Sequence, residues 1–105
     1  MAVLEKKVRL VGSKGEKEVF ALFDSVAAYS CIRPDLARQI ERAVAIPGAM
    51  TFKTAKKGER LTAKERVSIN FYLEGSRFSD EFMIIPGLSE EVIIGSAILQ
   101  MANET

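Results

Sequence analysis

From Val67 to Leu73 apolar side chains fall on every second position, Val67, Ile69, Phe71 and Leu73, with polar or mixed residues between them. A period of two turns one face of an extended chain toward a core. Glu74-Gly75 then offers a turn, so "VSINFYLEGSRFSDEFMIIPGL" (67–88) reads as a β-hairpin whose return strand ends at Pro86-Gly87. Near the start, "VLEKKVRLV" (3–11) mixes β-branched and leucine positions with charge, and "GSKGEK" (12–17) supplies two glycines for another hairpin turn. The following "EVFALFD" is apolar without alternation, the pattern of a strand buried on both faces and ending at Asp24.

"RPDLARQIERAVAIPG" (33–48) changes the period. Pro34 suits a first helical position, Leu36, Ile40 and Ala43 or Val44 share one face, and Pro47-Gly48 ends the helix. "MTFKTAKKGERLTAKERV" (50–67) predicts a pair of exposed strands around Lys57-Gly58, a projecting hairpin with much charge and little core. "EEVIIGSAILQMANET" gives an apolar run, Gly95, and a short helix from about Ser96 with Ile98, Leu99 and Met101 to bury. There is no repeat, linker or low-complexity tract. One mainly β domain is expected over residues 1–105.

Composition narrows the chemistry. A chain of 105 residues, 48% hydrophobic, is long enough for one domain that buries roughly 60–65% of its unfolded surface. There is no histidine, which removes Ser-His-Asp and Cys-His nucleophile pairs and the usual imidazole metal ligands. Acid–base chemistry would therefore rest mainly on carboxylates. Cys31 is the single cysteine, too few for an internal disulfide or a thiolate cluster, and is expected as a small buried hydrophobe. No metal or cofactor is expected.

No apolar run reaches membrane-spanning length and "MAVLEKK" lacks the form of a signal peptide, so a soluble, cytoplasmic protein is expected. The net charge of +1 argues against a chain-wide grip on nucleic acid. Charge is nonetheless uneven: residues 53–66 carry six basic and two acidic side chains, and residues 74–105 carry six acidic and one basic. The basic hairpin reads as a solvated edge that discourages strand-to-strand aggregation. Phe52 is the only aromatic residue between positions 30 and 70, so bases would find little to stack on, and no nucleic-acid partner is expected.

Taken in order, "ALFDSVAAYSCI", the charged hairpin, "FYLEGSRFSDEFMIIPGL" and "EVIIGSAILQ" resemble a retropepsin, the retroviral-type single-domain aspartic protease, over roughly residues 8–101. The resemblance implies a closed, mostly antiparallel β-barrel with crossed loops and one or two short helices. It makes Asp24 the catalytic carboxylate and Ser25 its support across a homodimer. Val26, Ala27 and Ala28 would line the bound peptide, and Thr54, Ala55, Lys56 and Gly58 would form a flap over it. Ile93, Ile94 and Gly95 would be the apolar pair and glycine that lead into a C-terminal helix. The implied partners are a second copy of the chain and a peptide or protein substrate, with no membrane.

Two positions depart from the family pattern. Val26 stands where the family has glycine, adding an isopropyl group where a substrate backbone or the opposing aspartate would approach. Ala28 and Ser96 replace an acidic residue and an arginine that pair in retroviral members, a double loss that points to a different dimer support. Read without the resemblance, Asp24 is a strand-ending turn residue, Val26 is core, and Tyr29 is a wall of the core or a pocket. Two functions follow: a homodimeric aspartic endopeptidase, or a non-catalytic module with the same barrel that binds peptides or drives oligomerisation.

Overall fold

A computed structural model describes residues 3–53 and 60–95. Strand β1 (Val3–Gly12) turns at Ser13-Lys14 and returns as β2 (Gly15–Asp24), paired antiparallel from Gly12↔Gly15 to Val3↔Asp24. Short β3 (Ser30–Ile32) leads into helix α1 (Pro34–Ile40), followed by β4 (Val44–Lys53), the long β5 (Arg60–Leu73), β6 (Ser76–Ile84) and short β7 (Val92–Ile94). The sheet order is β1-β2-β7-β3-β6-β5-β4, and β1 also pairs with β5. Six strands thus close into a barrel, and β4 hangs outside the ring on β5.

The expected closed, mostly antiparallel barrel is found, and two of its seams are parallel: β2 runs parallel to β7, and β3 runs parallel to β6. A tight hairpin can join only antiparallel neighbours. Here β3 and β7 are three-residue strands each reached through a loop, so hairpin chemistry does not set their direction. The main hairpin does follow its sequence. Glu74 and Gly75 both take positive φ, 50° and 85°, and join β5 to β6 in unbroken register.

The expectation that "EVFALFD" is buried on both faces is corrected. Val19, Ala21 and Phe23 face the core, while Phe20 is 56% exposed on the barrel's outside. Among the described residues no second layer covers that face; instead the Lys7 ammonium lies 5.8 Å from the Phe20 ring centre. The core fills the barrel with Val8, Leu10, Ala21, Ile32, Phe71, Phe82, Val92 and Ile94 among others. Phe71 stacks on Phe78 with ring centres 5.3 Å apart and meets Phe82 edge-on at 6.2 Å.

Helix α1 is shorter than its periodicity predicts, ending at Ile40, and Val44-Pro47-Gly48 belong to β4. The stop is a tertiary contact. Lys14 donates its amide proton to the Ile40 carbonyl at 3.0 Å, and the Glu41 carboxylate accepts both the amide and hydroxyl of Ser13 at 2.7 Å. Gly12 makes this docking possible, because a Cβ there would sit 2.3 Å from the Ile40 oxygen. Leu36, Ala37 and Ile40 are the buried face of the helix.

The β4–β5 pair also carries more core than its charge suggests. Ala63 is fully buried in a second cluster with Cys31, Met83, Ile85 and Leu88, and Ile46, Met50, Leu61 and Ile93 pack onto it half-buried. The tip of this hairpin around Lys57-Gly58, and the helix expected from Ser96, lie outside the described residues. Among the described residues no helix is long and apolar enough to cross a membrane.

Candidate active site

Asp24 is the last residue of β2, and its strand is held from both sides. Val3 pairs with it on β1, while Ala21↔Val92, Leu22↔Ile93 and Phe23↔Ile94 bind the preceding residues to β7. Phe23 and Ile94 are buried, so the rigid inner strand delivers a half-buried carboxylate to the rim of the barrel. The chain then turns sharply. Val26 donates its amide proton to Asp24 Oδ1 at 2.9 Å, and Ala27 donates to the Asp24 carbonyl at 3.2 Å. Asp24 therefore caps its own turn with one oxygen of the carboxylate.

Ser25, Val26, Ala27 and Ala28 lie in this one loop, which ends where Ser30 begins β3. Gly95 backs the loop: a Cβ there would lie 2.8 Å from the Tyr29 carbonyl carbon and 2.9 Å from the Ala27 and Tyr29 oxygens. Only glycine allows this approach. Ile93 is half-buried and Ile94 fully buried beside it. The sequence-predicted residues 24–28 and 93–95 are thus brought together. Thr54, Ala55, Lys56 and Gly58 lie outside the described residues.

Val26 is not the core residue that a reading without the resemblance expects: it is 59% exposed. Nor does it strain the loop, since Glu74 is the only non-glycine with positive φ among the described residues. Its cost is steric, an isopropyl group standing out from the aspartate turn. Leu4, 55% exposed and paired with Phe23, and Tyr29, 46% exposed, add further apolar surface at this end of the barrel.

Two residues that sequence reasoning missed complete the surroundings. Ser30 is buried, accepts the Gly95 amide proton at 3.0 Å on Oγ, and donates its own proton to the Asp80 carboxylate on β6. Asp80 also accepts the Glu81 amide at 2.8 Å. Burial raises the Asp80 pKa above its usual value, against the opposing pull of the Ser30 hydroxyl and the Glu81 amide. The only local signal was a lone polar residue opening an apolar strand. Next to it, burial and then the Asp80 charge push the Cys31 thiol up to about 11, which keeps it protonated and inert, as expected of a small buried hydrophobe.

Among the described residues no group of three or more His, Cys, Asp or Glu is placed to hold a metal ion. A groove of about 430 Å³ opens elsewhere, at the root of the β4–β5 arm, between Pro34 and Arg38 of α1 and Leu61, Lys64, Ile84 and Pro86. It shares no residue with the Asp24 loop.

The chain superimposes on EIAV protease complexed with the inhibitor HBY-793 with a TM-score of 0.65 at 11% sequence identity, covering 97% of this chain and 89% of that one. It superimposes on the retroviral protease-like domain of Ddi1 from Leishmania major with a TM-score of 0.62 at 20% identity, covering 97% and 80%. No protein-family model and no curated protein matches the sequence. At these identities the likeness is one of fold.

Proposed function

We propose that this chain, whose fold is retropepsin-like, works as a homodimeric aspartic endopeptidase with one Asp24 from each subunit. The observation that carries this reading is the Asp24 turn itself. A half-buried carboxylate sits at the end of an inner strand, clamped from behind by Gly95, with the exposed side chains of Leu4, Val26 and Tyr29 at the same end of the barrel. One carboxylate cannot act as both general acid and general base, and a second copy laid against that apolar rim would supply the other.

In such a pair two carboxyl groups a few ångströms apart share one proton, as is known of aspartic proteases in general. The ionised member takes a proton from water as the oxygen attacks the scissile carbonyl carbon. The protonated member gives its proton to the carbonyl oxygen. As the tetrahedral adduct collapses and the C–N bond breaks, the first carboxyl passes the proton it took from water to the amine nitrogen. The second takes one back from a hydroxyl of the adduct, which restores the shared-proton pair. In each subunit the Val26 amide holds one Asp24 oxygen in place, leaving the other to the water and its partner. Ser25 would bond across the dimer to support both loops. Ala27 and Ala28 would flank the peptide, and Thr54, Ala55, Lys56 and Gly58 would close over it and exclude water. A cytoplasmic location fits the single buried Cys31.

A peptide-library assay from acidic to neutral pH tests this. Cleavage is expected that pepstatin-type inhibitors suppress and that Asp24→Asn reduces to background; activity surviving Asp24→Asn removes the proposal. Val26→Gly is expected to increase cleavage, because it deletes the isopropyl group beside the carboxylate.

That same exposed isopropyl group favours a second reading, a non-catalytic module that binds an extended peptide or a partner chain. Peptide binding without turnover, unchanged by Asp24→Asn, would select it.

A further inference from the structure

We propose that Ser30 and Asp80 form a latch that positions the Asp24 loop, so that a carboxylate on β6 fixes the catalytic turn without touching substrate. Its catalytic consequence rests on the protease reading above; its structural part does not.

A hydroxyl has a single proton to give. The Gly95 amide can only donate, so at Ser30 Oγ it must be met by a lone pair, and the Ser30 proton has to point elsewhere. The Asp80 carboxylate can only accept, and it takes that proton. The two partners together leave the Ser30 rotor one orientation. Asp80 is itself held, since its other oxygen accepts the Glu81 amide at 2.8 Å. Strand β6 is in turn paired along its length with β5 and, through Ser30↔Phe82 to Ile32↔Ile84, with β3.

The latch reaches Asp24 through packing. Gly95 lies so close to the loop that even a methyl group would press within 2.9 Å of the Ala27 and Tyr29 carbonyl oxygens. Where the Ser30 bond holds Gly95, those carbonyls must also sit. The next two amides toward the N-terminus, Ala27 and Val26, are the ones that close the turn on the Asp24 carbonyl and Oδ1. A relay therefore runs from β6 through Ser30 and Gly95 to the catalytic carboxylate. Position 30 needs a hydroxyl and position 80 needs an acceptor, whereas burial alone would be met by two apolar residues.

Amide hydrogen exchange measured by NMR on the full chain decides this without any substrate. Ser30→Ala is expected to speed exchange at Gly95, Val26 and Ala27 on the order of tenfold while Val19 and Phe71 in the barrel stay protected. Ser30→Thr, which keeps the hydroxyl, should retain the wild-type rates. If Ser30→Ala does not fold, Asp80→Ala breaks the relay from the other end and should show the same three-residue pattern. Acceleration at Gly95 alone, or equal acceleration throughout the barrel, overturns the latch.

In a cleavage assay Ser30→Ala is expected to lower kcat on the order of tenfold to a hundredfold with KM changed less than about twofold, and Ser30→Thr to restore it. An unchanged kcat with the loop loosened removes the catalytic half of the proposal. A wild-type chain that cleaves no peptide fails the protease reading instead, and the exchange rates still decide the latch.

Discussion

Strand β5 belongs to two ribbons of opposite character. Its C-terminal half pairs with β6 from Glu65↔Ile84 to Leu73↔Ser76 without a break, closes through a two-residue turn, and packs Phe78 and Phe82 against the buried Phe71. Its N-terminal half pairs with β4, whose register breaks between Ala45 and Met50 so that residues 46–49 bulge opposite Lys64. Pro47 has no amide proton to give a ladder, and Gly48 takes φ +74°. The first ribbon is part of the barrel wall and carries Asp80. The second is an outer arm over a smaller core, and it leads to the hairpin tip proposed to close over a peptide. One continuous strand thus joins an unbroken ladder to a bulged one.

The contrast is tested most severely at its two cores. Phe71→Ala removes a fully buried ring together with its stacked and edge-on partners, and is expected to cost about 3–5 kcal/mol. Met50→Ala, half-buried on the satellite cluster, should cost about 1–2 kcal/mol. Urea unfolding with unchanged m-values measures both. Equal losses would mean that the arm is as much a part of the cooperative core as the barrel.

The arm's root comes next. Gly12→Ala puts a methyl group 2.3 Å from the Ile40 carbonyl oxygen, where backbone cannot give way cheaply. It should cost about 1–3 kcal/mol and loosen the seam between the β1–β2 hairpin and α1, from which β4 departs. Crystal or NMR structures of the variant should show α1 displaced and the β5–β6 ribbon unmoved.

A finer test compares two glycines at positive φ, one in each ribbon. Gly75 in the β5–β6 turn and Gly48 in the arm both face open space, so alanine at either meets only backbone strain, about 1–2 kcal/mol. The turn has no spare residue to absorb that strain, while the bulge has several. Gly48→Ala is therefore expected to cost less than Gly75→Ala by thermal or urea unfolding. The reverse order would show the arm to be the more rigid ribbon.

The same division explains what could be read from the residues. The β5–β6 ribbon was legible because alternation, aromatic positions and Glu74-Gly75 all agree locally. The Asp24 end of β2 was legible because an apolar strand running into Asp-Ser at that spacing before an Ile-Ile-Gly run is rare in combination. The end of α1 was not, since Ala43 and Val44 continue the helical spacing and the stop is made by Ser13 and Lys14, far away in sequence. Strand direction at β2–β7 and β3–β6 has no local code. The Ser30–Asp80 contact spans fifty residues and leaves only one polar letter in an apolar run. Phe20 misled because hydrophobicity alone cannot tell an inner face from an outer one shielded by a lysine stem.

The smallest effect is a pH dependence at the arm's root. Hydrogen bonds from the Ser13 hydroxyl, the Ser13 amide and the Arg42 amide lower the Glu41 pKa below its ordinary 4.5. A folded-state pKa below the unfolded one means that the unfolded chain binds the proton more readily. The contribution is therefore fully present above about pH 4.5 and is lost as pH falls through the lower folded value. Asp80 works with the opposite sign, because its raised pKa favours the folded state as acid protonates it. Comparing wild type with Glu41→Gln at each pH cancels Asp80, which both proteins share. Wild type should be the more stable at neutral pH, and the gap should close as the solution is acidified below that range. A gap that persists unchanged into strong acid would mean that the Glu41 charge does not hold the helix end, leaving the steric fit at Gly12 as the root of the arm.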